Sequence, residues 1–445
     1  MGRRRKRLPA EPVTAEIHDL SHDGRGVTRV NDKVTFVHGA LPGETVQLRL
    51  IGRRKDFDLG EVVQVEQPSP HRVEPLCANF GRCGGCALQH LAPAEQIAAK
   101  QNVLKENLRR IAELEPDSWL EPITGDPFGY RRKARLSVRN VVGKGRVLVG
   151  FRERNGRYVC DMVSCETLVS EVGQHLDVIS ACVGRLSVPD AIPQIEVAAG
   201  DEGRVLVIRH LEPLNEQDHT ELAELGRELN STIWLQPGGL DSLHRLDGAS
   251  LDDAPLTFAL PDFGLTFEFS PLNFVQVNAE MNQRMVAHAI EQLDLAPEHR
   301  LLDLFCGLGN FTLPAARHCG EAVGVEGEPA LVALAERNAE RNQIRNAKFF
   351  AADLTESVAA TPWAQLVFDR VLLDPPRSGA AEMVPLLDRL AAPRIVYVSC
   401  HPGSLARDAG LLAAVGYRLV TAGVLDMFPQ TAHVESLAVF ERGSA

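Results

Sequence analysis

The sequence is short of several features that mark common classes of protein. Aromatic residues make up only 5% of its 445 positions, so the chain does not favour a large aromatic stacking surface. Positive charge is not in excess, since the net charge is −12 and the pI about 5.7; this argues against indiscriminate nucleic-acid binding but allows a local basic face. No stretch reaches the roughly 18 consecutive apolar residues of a membrane span, and the first residues, MGRRRKRL, have no apolar signal-peptide core. We therefore expect a cytoplasmic protein that does not enter a membrane.

Cysteine, by contrast, is present at nine positions. In a reducing compartment cysteines are more often metal ligands, nucleophiles or core residues than disulfide partners. The chain is also long enough for about two to four domains.

The first segment, residues 8–67, alternates apolar and polar residues in five short stretches separated by turn residues. This pattern predicts a small β-barrel of a kind that often carries nucleic acid. The turn sequence GALPGE at 39–44 resembles the TRAM domain of RNA-modifying enzymes, which implies an OB-like barrel that binds RNA. Arg53, Arg54 and Lys55 cluster at one predicted turn and are candidate phosphate contacts. A generic small barrel is the alternative.

A cysteine motif opens the second segment, residues 68–269. Cys77, Cys83 and Cys86 are separated by five and then two residues, with two glycines between the last two. Three thiols so close indicate a metal site, and glycines let backbone amides point at sulfur. Structural zinc usually takes two close pairs of ligands, whereas four thiolates hold a [4Fe–4S] cluster. The spacing favours the cluster, with a more distant fourth cysteine.

The rest of this segment offers that fourth thiol and a basic stretch. Cys160 and Cys165 are the next cysteines along the chain, and spacing alone does not choose between them. Residues 131–139 hold five cationic side chains in nine positions, which in an acidic protein we interpret as an RNA-facing strand. A solvated sheet face is the alternative.

The third segment, residues 270–445, changes to a regular alternation of apolar strands and helices. Such alternation predicts a parallel sheet covered by helices on both faces. Ligands of such sheets bind beyond the carboxyl ends of the strands. The residues at the strand ends are therefore the candidates for a site.

Four predicted strand ends carry residues suited to a nucleoside cofactor. Gly307 and Gly309 allow backbone to approach a ligand after the first strand, and Glu326 ends the second, where it can accept from both ribose hydroxyls. Asp353 ends the third strand, and Asp374, followed by two prolines, ends the fourth. The dehydrogenase spacing G-x-G-x-x-G is absent, so the pattern favours S-adenosylmethionine over nicotinamide.

A fifth predicted strand, residues 394–400, ends at Cys400, just before a Pro-Gly turn. Taken alone, a cysteine after a buried strand is more often a core residue than a nucleophile. Its position beside the cofactor candidates makes the reactive interpretation worth testing.

Together these stretches resemble the RNA uracil-C5 methyltransferases, which transfer a methyl group from S-adenosylmethionine to carbon 5 of uridine. The matching stretches are 270–278 (SPLNFVQVN), 302–311 (LDLFCGLGNF), 373–379 (LDPPRSG), 397–400 (YVSC) and 433–435 (HVE). The resemblance implies a multidomain α/β fold: a TRAM/OB-like β-barrel, a central α+β domain with an iron–sulfur motif, and a C-terminal Rossmann-like S-adenosylmethionine methyltransferase domain. The TRAM-like start and cysteine spacing further resemble the iron–sulfur branch of the family, which acts on uridine 1939 of 23S ribosomal RNA.

The same resemblance implies specific ligands. Cys165, rather than Cys160, would complete the [4Fe–4S] cluster with Cys77, Cys83 and Cys86. The implied contacts to S-adenosylmethionine are Gln276, Phe305, Asn310, Glu326, Asp353 and Asp374. The expected partner is 23S ribosomal RNA rather than DNA, and we expect a monomer.

Carbon 5 of uracil is a poor nucleophile, so the reaction needs electron density pushed into the ring. A thiolate that adds at carbon 6 makes an enolate whose carbon 5 can attack the methyl group. A base then removes the carbon-5 proton. The hypothesis is that Cys400 is the nucleophile and Glu435 the base.

Three alternatives have different sequence requirements. A DNA cytosine-C5 methyltransferase would need a Pro-Cys nucleophile and a Glu-Asn-Val motif, and neither occurs. A uracil enzyme acting on tRNA, or on another ribosomal uridine, would keep the catalytic half. A non-catalytic iron–sulfur RNA-binding protein would not need Cys400 and Glu435.

Overall fold

The computed structural model describes residues 11–251, 255–356 and 358–443. Contacts between Cα atoms divide the chain into two compact units. The first comprises Met1–Lys100, Phe151–Cys160 and Phe428–His433, and the second comprises Gln101–Gly150, Asp161–Met427 and Val434–Ala445. The units are therefore interleaved along the sequence.

The first unit contains a six-stranded sheet formed by the predicted barrel segment. Its strands are β1 (Val13–Glu16), β2 (Asp19–Leu20), β3 (Gly26–Val30), β4 (Lys33–His38), β5 (Thr45–Arg53) and β6 (Asp58–Gln67), in the order β1-β5-β6-β4-β3-β2. Alternate residues point to a buried cluster that includes Val37, Val46 and Leu48, as a period of two predicts. The first predicted strand is divided into β1 and β2, so residues 11–67 form six strands where five were expected.

The second unit begins with a helix and a mixed sheet. Helix α1 (Pro93–Asn107) leads into this unit, and the short strand β7 (Ser118–Trp119) follows it. The sheet has the strands β8 (Lys133–Val141), β9 (Arg146–Gly150), β10 (Gln194–Ala199), β11 (Arg204–Arg209), β12 (Thr232–Gln236) and β13 (His244–Arg245), in the order β13-β12-β11-β10-β8-β9. Its helices are α2 (Ser170–Gly173), α3 (Leu176–Arg185) and α4 (Glu216–Glu228). Helix α3 packs on β9 and α4 on β12.

The remainder of the second unit is an alternating α/β region. The hairpin β14 (Leu256–Leu260) and β15 (Leu265–Phe269) comes first, then α5 (Ala279–Leu293), β16 (Arg300–Leu304), α6 (Thr312–Ala316), β17 (Glu321–Glu326), α7 (Pro329–Arg341), β18 (Ala347–Ala351), β19 (Arg370–Leu373), α8 (Val384–Leu390), β20 (Arg394–Ser399), α9 (Pro402–Ala414), β21 (Tyr417–Leu425) and β22 (Glu435–Arg442). The sheet order is β18-β17-β16-β19-β20-β22-β21-β7. Strands β16 to β20 are parallel to one another, which confirms the predicted Rossmann-like parallel sheet.

Strand direction decides which residues meet at the ligand edge of this sheet. The carboxyl ends of β16 to β20 share one edge, because these strands are parallel. Strand β22 runs antiparallel to β20, and its register sets Ser399 opposite Ser436. The next positions outward, Cys400 and Glu435, therefore lie beside each other at that same edge.

None of the helices in the described part of the chain is both long and apolar enough to cross a membrane.

Candidate active site and cysteine loop

The loop after β16 forms a cradle of left-handed backbone. Phe305, Gly307 and Gly309 have φ angles of +66°, +55° and +92°, a region where glycine is favoured. A Cβ added at residue 309 would lie 3.2 Å from the side chain of Leu313, so glycine also keeps this turn open. The loop is shaped for close approach of a ligand to backbone.

Glu326, at the end of β17, holds this loop. Its Oε2 accepts a hydrogen bond from the amide of Gly307 at 3.1 Å, and its Oε1 accepts from the amides of Gly327 at 2.8 Å and Glu328 at 3.1 Å. The carboxylate is thus fixed between the first and second strand ends, where the sequence predicted a ribose contact.

Asn310 lies at the end of the cradle, and its side chain is already engaged. Its Oδ1 accepts from Asn282 Nδ2 at 3.0 Å, and its Nδ2 donates to Asn282 Oδ1 at 2.9 Å. Asn282 is buried in helix α5. This reciprocal amide pair ties the cradle to α5, and sequence reasoning missed Asn282 because an Asn within a helix carries no motif.

Asp353 lies two residues beyond β18, on an exposed turn. Its Oδ1 accepts from the hydroxyl of Thr355 at 2.7 Å and from its amide at 2.8 Å. These two hydrogen bonds lower the pKa of Asp353 below its usual range. It is a stable carboxylate on the rim of the edge.

Gln276 lies between β15 and α5, and an arginine supports its backbone. The Arg132 Nε donates to the Gln276 carbonyl at 3.1 Å, and the Arg132 amide donates to Val277 at 2.9 Å. Arg132 is buried, and its guanidinium lies 4.9 Å from the ring centroid of Phe258. Gln276 is therefore held in place from the start of β8.

This contact changes the interpretation of the basic stretch 131–139. Burial lowers the pKa of Arg132 to about 10 and that of Lys133 to about 8, and the Lys133 ammonium donates to the carbonyl of Asn273. Arg135 and Arg139 are exposed. The first part of the stretch therefore supports residues 273–277, and an RNA-facing surface stays a prediction for the exposed Arg135 and Arg139.

Two acids with raised pKa values lie at the centre of the edge. Asp303 is fully buried in β16, where burial raises its pKa to about 8. Asp374 directly follows β19 and donates its amide to the Leu304 carbonyl at 3.3 Å. It keeps partial exposure, yet burial of its carboxyl raises its pKa to about 7. Both favour their neutral forms more than an exposed aspartate does.

Cys400 and Glu435 face the same small region. Burial raises the pKa of the Cys400 thiol to about 11, and the charges of Glu435 and Asp374 act in the same direction. Burial also raises the pKa of Glu435 well above its usual range, with Asp374 contributing. Arg377 lowers the pKa of both groups. Sequence reasoning assigned Arg377 no role, although it directly follows the Asp-Pro-Pro turn.

The histidine after the cysteine has a structural role. His401 is the N-cap of α9, and its Nδ1 accepts from the amide of Ser404 at 3.1 Å. Such a cap satisfies a backbone N–H that has no partner within the helix. The cap holds Cys400 at the junction between strand and helix.

The cysteine motif lies in the first unit as a turn-rich loop. Cys83 is buried, while Cys77 and Cys86 are half-buried. The Gly85 amide points at the Cys83 sulfur at 3.4 Å. The segment Phe151–Cys160 belongs to the same unit.

This segment pairs with the loop and carries a fourth cysteine. The Gly84 amide donates to the Arg152 carbonyl at 2.9 Å, and the Arg82 guanidinium donates to Glu153 at 2.9 Å. Cys160 is fully buried, and its amide donates to the Phe151 carbonyl at 2.8 Å.

Cys165 belongs to the second unit, where it is buried with its sulfur 3.4 Å from Thr167 Oγ1. Thiolate donors and an amide directed at sulfur suit an iron–sulfur cluster chemically. Across residues 11–251, 255–356 and 358–443, however, no three His, Cys, Asp or Glu side chains are gathered as a metal-binding group. The donor chemistry of the three close thiols fits a cluster.

Comparisons with known proteins agree with the fold. A family model described as tRNA (Uracil-5-)-methyltransferase matches residues 256–443, and the TRAM domain matches residues 6–63. The TRAM prediction is thereby confirmed. The crystal structure of the Pyrococcus abyssi tRNA (uracil-54, C5)-methyltransferase in complex with S-adenosyl-L-homocysteine has a similar fold, with a TM-score of 0.71 at 23% identity, over 96% of this chain and 100% of that one.

Two curated relatives cover essentially the full length. The 23S rRNA (uracil(1939)-C(5))-methyltransferase RlmD of Stenotrophomonas maltophilia is 51% identical over 99% of this chain and 100% of its own. The RlmD of Alcanivorax borkumensis is 48% identical over 99% of each chain. The chain belongs to the RlmD family of RNA (uracil-C5)-methyltransferases.

Proposed function

We propose that this protein transfers a methyl group from S-adenosylmethionine to carbon 5 of uridine 1939 in 23S ribosomal RNA. The observation that carries the proposal is the register of β20 and β22, which sets Cys400 beside Glu435 at the edge that holds the glycine cradle. A nucleophile, a base and a nucleoside site are the three parts that the reaction needs.

We assign the cofactor to the cradle after β16. When bound, S-adenosylmethionine supplies an electrophilic methyl group. Glu326 is oriented by three amides to accept from ribose hydroxyls, and Asp353 is a rim carboxylate suited to the adenine amino group. The assigned contacts are Gln276, Phe305, Asn310, Glu326, Asp353 and Asp374.

In the proposed reaction the Cys400 thiolate adds to carbon 6 of uracil. The electrons of the carbon 5–carbon 6 double bond move toward oxygen 4, and the resulting enolate attacks the methyl group through carbon 5. The bond between the methyl group and sulfur would break, and its electron pair would leave with S-adenosylhomocysteine. The Glu435 carboxylate then takes the carbon-5 proton, the double bond re-forms, and the carbon–sulfur bond breaks to release the thiolate.

Arg377 matters because the other charges at this site disfavour the thiolate. Glu435 and Asp374 both raise the pKa of Cys400, and Arg377 opposes them. Displacement of water by a substrate would strengthen the effects of all three charges, since charges interact more strongly at low dielectric. Among these groups, Arg377 is the charge that favours the proposed thiolate.

The test is methyl transfer from labelled S-adenosylmethionine to a 23S RNA fragment that contains 5-fluorouridine at position 1939. Fluorine blocks loss of a carbon-5 proton, so a methylated covalent adduct should accumulate. The adduct should disappear in Cys400→Ala and persist in Cys319→Ala, a control thiol whose pKa burial also raises to about 11. An adduct in Cys400→Ala would refute the nucleophile assignment. Adducts with a tRNA fragment but not with 23S RNA would refute the assignment of 23S ribosomal RNA as the substrate.

We further propose that Cys77, Cys83, Cys86 and Cys165 hold a [4Fe–4S] cluster. The support is the spacing of the three close thiols and the Gly85 amide directed at sulfur. Such a cluster would order an RNA-binding region, because methyl transfer needs no electron carrier.

The cluster test uses anaerobic reconstitution with iron and sulfide, followed by visible absorbance. Cys165→Ser should abolish the charge-transfer band, and Cys160→Ser should retain it. The opposite result would move the fourth ligand to Cys160, which belongs to the same unit as the three close thiols.

An action on ribosomal RNA implies a cytoplasmic enzyme, and a monomeric state stays a prediction.

A further inference from the structure

The turn after β19, residues 374–379, is held by a buried carboxylate on α9. Asp408 is 1% exposed. Its Oδ2 accepts from the Ala380 amide at 2.7 Å and from the Tyr397 hydroxyl at 2.7 Å. Its Oδ1 accepts from Arg407 Nε at 2.8 Å. Both carboxylate oxygens are therefore occupied within the protein.

Arg407 makes a second contact with the same turn. Its Nη2 donates to the Ser378 carbonyl at 2.7 Å, so one guanidinium bridges the carboxylate and the turn backbone. Gly379 has a φ of +84°, and a Cβ there would lie 2.4 Å from Asp408 Oδ2. The turn is thus packed directly against the carboxylate.

Helix α9 connects this contact to the nucleophile. The helix is capped by His401, the residue after Cys400, and carries Arg407 and Asp408 on its second turn. The turn that it holds carries Arg377, which acts on both Cys400 and Glu435. Helix α9 therefore begins just after Cys400 and is hydrogen-bonded to the turn that bears Arg377.

We infer that Asp408 and Arg407 form a positioning pair that fixes the turn bearing Arg377 relative to Cys400. Neither residue is proposed to touch uracil or the cofactor. The role of the turn in catalysis rests on the proposed function, but its effect on the thiol does not.

The geometry favours positioning over general stabilisation. A buried carboxylate is costly unless its oxygens are hydrogen-bonded. Apart from Tyr397, the donors are Ala380, which directly follows the turn, and Arg407, which also bonds to the turn. Asp374 is also anchored by its amide to β16, so loosening the pair would move Arg377 more than Asp374. The Cys400 thiol would then lose the nearby positive charge of Arg377 but keep the negative charge of Asp374, and its pKa would rise.

The test measures how fast iodoacetamide alkylates Cys400 at pH 8.5 in the full chain, with the modified peptide quantified by mass spectrometry. A rise of one unit in the thiol pKa lowers the thiolate population about tenfold and raises its nucleophilicity about threefold, so the net rate falls about threefold. Arg407→Met and Asp408→Asn should each show this fall or a larger one, together with at least a fivefold lower kcat for methyl transfer.

Arg442→Met is the matched control. Arg442 also bridges a carboxylate and a carbonyl, both of Asp388, at the end of β22 away from Glu435. In Arg442→Met the rate at which Cys400 is alkylated should stay within about 1.5-fold of the parent rate. If this rate falls as far as it does in Arg407→Met, the effect is a general loosening of the fold and the inference is wrong.

The remaining outcomes are also decisive. An unchanged rate of Cys400 alkylation in Arg407→Met refutes the inference. If Asp408→Asn fails to fold, Arg407→Met alone decides the test, because the Arg407 side chain is about half exposed and its replacement should leave the fold intact. A parent enzyme that does not methylate 23S RNA, with alkylation that still falls in Arg407→Met, refutes the proposed function and leaves the positioning pair in place.

Discussion

Asp303 offers a direct test of the electrostatics at the ligand edge of the sheet. Its Oδ2 accepts from the Thr312 hydroxyl at 2.5 Å, whereas no described residue donates to its Oδ1. Burial raises its pKa from 3.8 to about 8, and the charges of Asp374 and Glu326 act the same way. Asp303→Asn keeps the shape of the side chain and removes its titration.

The sign and size of the effect follow from the two protonation equilibria. Below pH 3.8 both folded and unfolded states hold the proton, so the raised pKa has no effect on stability. As the pH rises above 3.8 the unfolded state ionises while the folded state keeps its proton, and unfolding becomes easier until about pH 8. Between pH 5 and pH 7 this single group should reduce the free energy of unfolding by about 3 kcal/mol.

The assay is urea unfolding of the parent and of Asp303→Asn at pH 5, 6 and 7, followed by circular dichroism. Any constant difference between the proteins reports packing and the altered hydrogen bond to Thr312. The change in that difference with pH reports the titration, and the variant should gain about 3 kcal/mol relative to the parent between pH 5 and pH 7.

Asp218→Asn is the control, because Asp218 is a buried acid whose pKa is lowered, whereas that of Asp303 is raised. Burial alone would raise its pKa, but hydrogen bonds from the Ser187 hydroxyl and amide and from the Asn215 amide lower it. Its carboxylate is ionised in both states from pH 5 to pH 7, so the difference from the parent should not vary with pH. A pH-independent difference for Asp303→Asn as well would refute the reasoning.

Three further predictions, one of them with a control substitution, have distinct expected results. Glu435→Gln should accumulate a methylated RNA adduct on denaturing gels even without fluorine, because the carbon-5 proton is not removed; turnover within tenfold of the parent would contradict the base assignment. Gly379→Ala should lower the free energy of unfolding by about 2 kcal/mol or more, since its new Cβ would lie 2.4 Å from a buried carboxylate oxygen. Gly416→Ala, with φ +91° but open space around it, should lose only about 1 kcal/mol, and equal losses would rule out the clash. Asn282→Ala should weaken binding of S-adenosylhomocysteine several-fold by calorimetry, because it releases the side chain of Asn310; an unchanged Kd would show that the amide pair does not shape the cradle.

The strands and helices of the third segment could be predicted because their apolar residues follow simple periods. The predicted strand 394–400 is β20 (Arg394–Ser399), and Cys400 lies at its end as expected. Element boundaries depend on local chemistry. Helix α1 begins at Pro93, since proline is well suited to the first helical position and the residues before it form a turn.

Side-chain direction could not be predicted where the sequence pattern does not encode it. The charge of residues 131–139 predicted an RNA-facing strand, but it did not show that Arg132 and Lys133 turn inward to carbonyls that are more than 130 residues away along the chain. The pair of Asn282 with Asn310 likewise depends on tertiary packing of a helix against a loop. Such contacts are long-range and have no local signature.

The raised pKa of Cys400 has a consequence for the lifetime of the enzyme. At pH 7 a thiol with a pKa of about 11 is ionised in about one molecule in ten thousand. Peroxides oxidise the thiolate and not the thiol, and the later steps of that oxidation are irreversible. Burial of Cys400 should therefore slow its oxidation by peroxides, so the residue proposed as the nucleophile is protected from irreversible inactivation while its thiol stays protonated.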